Sequence, residues 1–393
     1  MWRLLIRNFS RIGPTLPPVP RIEEARGLNE FVRAIEYINA KRYQMAEIEL
    51  NLCLEILKNG GLFAEPAYNF TLKKLAFVYK QQNKTKQCEK ALKDIVKHYE
   101  SKAETYPDLF LAAQETLAMY LLEADVGRCV DLCREVLANT PSEFFHYLFG
   151  ISLVLKGEDF ITAKEHLQAL VLNKDPQPEV LYNFAYAQLV HPRKFTNPNK
   201  LNTQEIKENR NAVIEYVHAI PNFKKAIQYF ENLSEPYEPN PDNPGLKKKE
   251  SGLVLTTLAE MGWGDGLTLQ ETAAWLKCAL KLYEEVDKTK LGRVLTLTGR
   301  LLRDQKQFLH AEGLLSNAMS ILEGRGDWDE ALVCEEYGGL LNKISKRENE
   351  GEQLIAKAKL IRSKLPFWAE RAAHMFIPKW TLEMQPFTSS PSY

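Results

Sequence analysis

Apolar and polar residues follow one another along most of the chain at the spacing of amphipathic helices, interrupted by short polar breaks. The stretch TGRLLRDQKQFLHAEGLLSNA, which begins at Thr298, places the small residues Gly299 and Ala311 among bulky apolar residues. Apolar positions three and four residues apart on both sides of the polar break predict two helices joined by a short turn. Small side chains at Gly299 and Ala311 allow the two helices to approach closely. The sequence therefore predicts a helical hairpin.

The same order of small and bulky residues recurs along the chain. Two earlier stretches keep the spacing of Gly299 and Ala311, and three others lengthen or shorten it by one residue. The small pairs are Ala34 and Ala46, Ala76 and Cys88, Ala118 and Cys129, Gly150 and Ala163, and Gly338 and Gly351. A single hairpin cannot bury both of its faces, so we expect the hairpins to stack and share a continuous core.

These hairpins resemble the tetratricopeptide repeat, a pair of helices with small residues at the close crossing, bulky aromatic wedges and often a closing proline. Pro141 and Pro176 follow the third and fourth hairpins. The resemblance implies an all-α fold, an α-solenoid of antiparallel helical hairpins. It also implies that partners bind on the concave surface, which the first helix of each hairpin lines.

The repeat pattern divides the chain into segments. It predicts one array over 23–190 and a second over 251–365. The insertion 191–250 separates them; its prolines interrupt helices, and it contains a degenerate helical hairpin. An N-terminal segment, 1–22, and an aromatic tail, 366–393, complete the chain.

The N-terminal segment has the composition of a mitochondrial targeting sequence. Arginines alternate with large apolar residues in MWRLLIRNFSRIG, and no acidic residue precedes Glu23. A basic amphipathic helix binds anionic membrane surfaces and responds to the membrane potential. The alternative is a short helix that packs on a neighbour. We expect a mitochondrial protein, in the matrix or on the matrix face of the inner membrane.

Charge and composition weigh against several functions. The 51 basic and 51 acidic residues give a formal net charge of zero, so no overall field attracts nucleic acid. The longest nearly apolar stretch, 144–155, is shorter than the ~20 residues that cross a bilayer. The six cysteines fall at apolar positions of predicted helices and lack zinc-site spacing. We therefore expect buried thiols and no metal site.

The sequence contains no motif for catalysis or cofactor binding. The glycine cluster GWGDG at 262–266 has neither the preceding strand nor the spacing of a nucleotide-binding loop, and it predicts a turn between helices. The histidines are scattered, and neither HExxH nor GxSxG occurs. We expect a protein that is not an enzyme and that binds no cofactor.

Candidate partner-binding residues form three groups. Groove positions of the first two hairpins are apolar with a basic edge, which suits a partner helix or another segment of the same chain. A basic row on a later helix suits acidic protein or lipid headgroups, or is a solvated face with local ion pairs. Aromatic residues of the tail suit a cap at Phe367 and Trp368 and a partner contact from Trp380 onward. The candidates are Phe31, Ile35, Phe70, Lys73, Phe77 and Lys80 in the groove, Arg293, Arg300 and Arg303 in the basic row, and Phe376, Trp380 and Phe387 in the tail.

These features together predict a non-catalytic scaffold or accessory subunit that contacts other proteins in a large mitochondrial assembly. A respiratory-chain complex or ATP synthase is the preferred assembly, with peripheral rather than membrane-spanning attachment. One alternative is a soluble mitochondrial assembly or import factor. A second is a mitochondrial RNA-binding or ribosome-associated helical-repeat protein, against which the neutral charge and the apolar groove positions count.

Overall fold

The computed structural model describes residues 28–59, 66–172, 178–193, 222, 225–226, 246–261, 269–344 and 346–377. These residues form helices and their connections, without a strand among them. The helices are α1 Asn29–Asn39, α2 Tyr43–Asn59, α3 Pro66–Gln81, α4 Thr85–Glu100, α5 Pro107–Ala124, α6 Val126–Asn139, α7 Glu143–Lys156, α8 Phe160–Val171, α9 Pro178–Arg193, α10 Leu246–Met261, α11 Leu269–Val286, α12 Lys288–Asp304, α13 Phe308–Leu322, α14 Trp328–Leu341, α15 Glu348–Lys364 and α16 Ala369–Ala372. The all-α fold expected from the sequence is confirmed for this part of the chain.

Helices extend into both ends of the predicted insertion. Helix α9 continues to Arg193, and α10 begins at Leu246, two residues after the last proline of the insertion, Pro244. Beyond that proline every residue can donate a backbone hydrogen bond, so nothing prevents a helix. The targeting-like segment 1–22 and the tail residues from 378 onward lie outside the described residues.

Neighbouring helices pack as stacked hairpins. The pairs α1 with α2, α3 with α4, α5 with α6, α10 with α11, α12 with α13 and α14 with α15 are in contact, and second helices also pack on the next hairpin. The first helices α10, α12 and α14 touch one another in succession. The chain divides into two compact units: unit 1 contains the described residues up to 148, and unit 2 those from 149 to 377.

Small residues lie where the paired helices approach most closely, as their spacing predicts. A Cβ atom added to Gly299 would lie 2.6 Å from Cγ of Leu315 and 3.4 Å from the carbonyl oxygen of Ala311. A Cβ atom on Gly338 would lie 2.7 Å from the carbonyl oxygen of Gly351. Real Cβ atoms essentially never make contacts below 3 Å, so a larger residue at either glycine would force its neighbours to shift.

Three hairpins close with the same turn. Lys41, Asn83 and Lys306 have positive φ angles of 57°, 58° and 62°. In each turn the next backbone N–H donates to a carbonyl of the preceding helix. These bonds are Arg42 to Tyr37 at 2.7 Å, Lys84 to Tyr79 at 2.8 Å and Gln307 to Leu302 at 2.9 Å. A left-handed residue at this position satisfies the last carbonyls of a helix, and its recurrence identifies the three hairpins as copies of one unit.

Most cysteines lie in the packed interior. Cys53, Cys88, Cys129, Cys133 and Cys334 are buried, and the Cys129 thiol donates to the carbonyl oxygen of Ala118 at 3.3 Å across the close crossing. The expectation of burial is wrong for Cys278, which is exposed on α11 between the exposed Lys277 and Lys281. The described residues hold no cluster of His, Cys, Asp or Glu arranged for a metal ion. None of the described helices has the length and apolar character needed to cross a bilayer.

The close crossing predicts opposite effects for two glycine substitutions. Gly299→Ala forces a Cβ atom against the fully buried Leu315 and should lower the free energy of unfolding by about 1–3 kcal/mol. The control Gly313→Ala on α13 has no atom within 4 Å of the new Cβ and should raise it by roughly 0.5–1 kcal/mol. Chemical unfolding followed by circular dichroism measures both, and equal effects would contradict the close crossing.

Candidate protein-binding surfaces

The groove predicted on the first two hairpins lies on α1 and α3. Phe31 is buried, and its ring centroid lies 5.6 Å from that of Phe70. Ile35, Phe70 and Phe77 are half-buried. The groove therefore presents partly exposed apolar side chains beside a packed aromatic pair, and Phe31 belongs to the core beneath it.

The edge of this groove carries both signs of charge. Lys80 pairs with Glu123 of α5, with 2.7 Å between the ammonium and the carboxylate. Burial lowers the pKa of Lys73, and Glu115 of α5 opposes this shift. Burial also raises the pKa of Glu115 to about 7, and Lys73 opposes it in turn. The basic edge expected from the sequence is thus a mixed edge, because α5 brings carboxylates to the lysines of α3.

The pKa of Glu115 predicts a dependence of stability on pH. Its value of about 7 lies above the ordinary 4.5, so the folded state holds this proton more tightly. The resulting stabilisation is complete at pH values below the ordinary pKa of 4.5, and it is lost as the pH rises through the folded-state pKa of about 7. Glu115→Gln cannot ionise, so at about pH 8 it should be more stable than the unmodified chain by roughly 1–3 kcal/mol.

Thermal unfolding at about pH 4 and about pH 8 measures this difference. At about pH 4 the Glu115→Gln variant and the unmodified chain should have nearly equal stability. The exposed Glu104 provides the matched control, and Glu104→Gln should show no such dependence. Equal melting temperatures of Glu115→Gln and the unmodified chain at both pH values would contradict the raised pKa of Glu115.

The predicted basic row on α12 is occupied by ion pairs within the chain. Arg300 and Arg303 both meet Glu336 of α14, at 3.7 Å and 2.6 Å between nitrogen and oxygen. Arg293 is only 4% exposed. The first helices α12 and α14 touch each other, so guanidinium groups of one helix reach carboxylates of the other.

Arg293 is the centre of a buried polar cluster. Its Nη2 lies 2.5 Å from Glu260 Oε2 and 2.9 Å from His374 Nδ1. Its Nη1 lies 3.2 Å from Asp329 Oδ1 and donates to the carbonyl oxygen of Ala373 at 3.1 Å. Burial alone would raise the pKa of Glu260, but Arg293 outweighs it and holds that pKa at about 2. The cluster joins α10, α12 and α14 to residues near the C-terminus.

Residues 369–377, which we term the strap, pass across α9. Asn183 binds the main chain of Phe376 twice: its Nδ2 donates to the carbonyl oxygen at 2.8 Å, and its Oδ1 accepts from the N–H at 3.0 Å. The Tyr182 hydroxyl donates to the carbonyl oxygen of His374 at 2.5 Å. With the bond from Arg293 to Ala373, these contacts hold the carbonyl oxygens of Ala373, His374 and Phe376.

Two aromatic contacts add side-chain recognition to the strap. The Phe376 ring meets Tyr182 edge-on, with centroids 4.7 Å apart and planes at 65°. The His374 imidazole stacks on Tyr186 at 5.7 Å and 24°. Tyr182, Tyr186 and His374 are all buried, so the strap and α9 share one packed interface.

Arg371, near the start of the strap, also binds the strap to the rest of unit 2. Arg371 Nη1 donates to the carbonyl oxygen of Leu155 at 2.9 Å, at the end of α7. Gly157 follows with φ of 75°, and a Cβ atom there would lie 2.6 Å from the Arg371 guanidinium. Gly157 therefore has two reasons to be glycine: the left-handed backbone and the close approach of Arg371.

Two residues of this interface, Phe376 and Arg293, were candidates from the sequence. The sequence predicted a cap at Phe367 and Trp368. Phe367 is 68% exposed, Trp368 is half-buried, and the buried strap residues are His374 and Met375. The missed signal lies in α9, where Asn183 stands among apolar and aromatic residues in VLYNFAYA. A buried amide needs a hydrogen-bond partner, and here the partner comes from the far end of the chain.

Helix α2 exposes an apolar row that the sequence analysis also missed, which we term the α2 stripe. It consists of Met45, Ile48, Leu52 and Ile56, which are 44%, 53%, 43% and 42% exposed. Their spacing of three and four residues places them on one face. The opposite face is buried through Ala46, Leu50, Cys53, Leu54 and Leu57. Apolar residues on both faces were the available signal, because one packed face needs only one such row.

The comparisons with known proteins bear on the fold alone. No protein-family model matches the chain, and no curated protein matches it. A crystal structure of a tetratricopeptide repeat protein from Parabacteroides merdae is similar with a TM-score of 0.45 and 12% identity, over 86% of this chain and 98% of that one. The P58(IPK) TPR domain is similar with a TM-score of 0.23 and 14% identity, over 88% and 99%.

Superpositions of that quality carry no argument by themselves. The chain is similar to tetratricopeptide repeat proteins in features of its own: paired helices that cross at small residues, a repeated left-handed turn, and first helices that touch in succession. These features define a helical-repeat protein with surfaces suited to protein partners.

The buried cluster predicts a large effect of removing its central cation. Arg293→Met leaves the carboxylates of Glu260 and Asp329 buried without their common partner, which should cost about 3–5 kcal/mol of unfolding free energy. The control is Arg134→Met, because Arg134 and Asp131 form a pair with 64% and 72% exposed side chains. That change should cost about 1 kcal/mol or less. Chemical unfolding measures both, and similar losses would show that Arg293 is not central.

Proposed function

We propose that the chain is a non-catalytic scaffold or accessory subunit that holds other proteins in a large mitochondrial assembly. The observation that carries this proposal is the α2 stripe. Exposed apolar side chains are common singly, but a continuous row along one helix face is typical of a protein interface. Met45 to Ile56 covers about 16 Å of helix at ~1.5 Å per residue, enough to receive a helix of a partner.

The free energy gained by burying the α2 stripe can be compared with the cost of forming a complex. Its four side chains are about half exposed, and burying them contributes roughly 3–6 kcal/mol, given ~1.5–3 kcal/mol for a full apolar side chain. Association costs a similar amount in lost rigid-body freedom. The stripe alone therefore supports only a weak complex, and a permanent subunit requires a second surface.

The groove on α1 and α3 supplies such a surface. Ile35, Phe70 and Phe77 offer apolar area. Lys73 and Glu115 form a polar rim that can fix the position of a partner in the groove. An apolar patch with a polar rim is the usual anatomy of a specific interface. Both surfaces lie within the first two hairpins of unit 1.

The mitochondrial part of the proposal depends on the N-terminal sequence. Arg3, Arg7 and Arg11 stand among large apolar residues without an acidic residue, as in import signals. A respiratory-chain complex or ATP synthase is the assembly we prefer, with the chain attached from the matrix side.

Native electrophoresis of gently solubilised mitochondria tests this function. The tagged chain should be found in mitochondria and should comigrate with one large membrane complex at constant stoichiometry. Ile48→Glu combined with Leu52→Glu places charges in the α2 stripe and should shift the chain to the position of the free protein, with its melting temperature unchanged. The control is Leu309→Glu, since Leu309 is an exposed residue at 81% outside the stripe, and it should leave comigration intact.

Other outcomes contradict separate parts of the proposal. Migration of the unmodified chain near its own mass, or with many different proteins, would indicate a transient assembly factor. Absence from mitochondria would contradict the location. Comigration that survives both glutamate substitutions would show that the α2 stripe is not the interface.

A further inference from the structure

The seat of the strap recognises main chain more than side chain. We define the seat as Tyr182, Asn183 and Tyr186 of α9, Glu260 of α10 and Arg293 of α12. Four of its hydrogen bonds go to the backbone of Ala373, His374 and Phe376, and the His374 imidazole is the strap side chain that Arg293 and Glu260 contact. The Asn183 side-chain amide both donates to and accepts from the backbone of one residue, so it requires only a backbone N–H and C=O at that position and no particular side chain. Any segment of suitable shape can make these bonds.

The side-chain contacts of the seat then narrow the choice of segment. The position of His374 needs a flat ring that stacks on Tyr186 beside Arg293 and Glu260, and its Nε2 lies 3.7 Å from Glu260 Oε1. The position two residues later needs an aromatic ring that meets Tyr182 edge-on. The seat therefore selects for an imidazole followed two residues on by an aromatic side chain.

The strap is joined to the rest of unit 2 by few apolar contacts before it reaches the seat. Helix α16 has only four residues, none of them buried, and Phe367 in the preceding connection is 68% exposed. Arg293 Nε is buried and makes no hydrogen bond within the described part of the chain. The strap therefore does not use every donor of the seat.

We propose that the seat is a peptide-binding site, which the chain fills with its own strap. It accepts from a partner protein a peptide that forms the same helical turn as the strap, with an imidazole followed two residues on by an aromatic ring. This goes beyond the proposed function, since the seat lies in unit 2 and the interface of the scaffold in unit 1. A tethered segment competes at an effective concentration on the order of mM. A partner peptide therefore displaces the strap only if its affinity and concentration together outweigh this effective concentration.

Binding of a synthetic peptide to the full chain tests this site. The probe is the fluorescently labelled sequence AERAAHMFI, residues 369–377, followed by anisotropy. The strap variant His374→Ala/Phe376→Ala removes the internal competitor's side chains, and it should bind the probe at least about tenfold more tightly than the unmodified chain does. The single variant Phe376→Ala, with one contact removed, should fall between them.

Two controls tie the binding to the seat. A probe with alanine at the His374 and Phe376 positions should bind the strap variant at least about tenfold more weakly. Adding Asn183→Ala to the strap variant should abolish binding, whereas Gln188→Ala on the same helix should not, since Gln188 makes no contact with the strap among its described hydrogen bonds.

Three results would overturn the proposal. If Phe376→Ala and the strap variant both fail to fold, as judged by circular dichroism, the strap is an integral part of the core rather than a bound peptide. Folded variants that do not bind the probe would show that the seat accepts no peptide in trans. Equal binding to the unmodified chain and to the variants, or binding that survives Asn183→Ala, would place the probe on another surface.

Discussion

The close approach of two helices at a pair of small residues is the constraint on which the rest of the structure depends. An added carbon would meet the buried Leu315 side chain at Gly299 and the backbone of Gly351 at Gly338. The paired helices therefore approach as closely as they do because no side chain stands at either position. Once the crossing is set, the turn must reverse the chain within a few residues, which accounts for the left-handed residues at Lys41, Asn83 and Lys306. First helices are then brought side by side, and their polar side chains must find partners there.

Arg293 shows how demanding that placement is. A guanidinium that is 4% exposed needs acceptors for its charge. Its two Nη atoms obtain them from Glu260, Asp329 and the strap. The same contacts that neutralise its charge also hold the C-terminal residues against α9. Stability and the position of the strap are therefore coupled through one side chain in unit 2, and the basic row of α12 forms ion pairs within the chain.

The two units use their first helices differently. In unit 2 the polar groups of α9 and α12 bind a segment of the same chain. In unit 1 the half-buried side chains on α1 and α3 and the α2 stripe have exposed apolar area among the described residues. Exposed apolar area of this kind lowers the free energy when another protein covers it, whereas a groove already filled by its own chain binds a partner only in exchange for the strap.

The sequence by itself determined the features that depend on near neighbours. Apolar spacing predicted the helices, and the pairs Gly299 with Ala311 and Gly338 with Gly351 predicted the crossings, because residues of one hairpin meet through a turn of a few residues. The sequence did not reveal that Arg293 is buried, that Cys278 is exposed, or that Asn183 binds Phe376. Those facts depend on residues far apart in the chain, such as Glu260, Asp329 and His374, which meet only when several hairpins stack. Local spacing carries no record of which distant charge or carbonyl a side chain will face, so only the tertiary structure decided the strap and its seat.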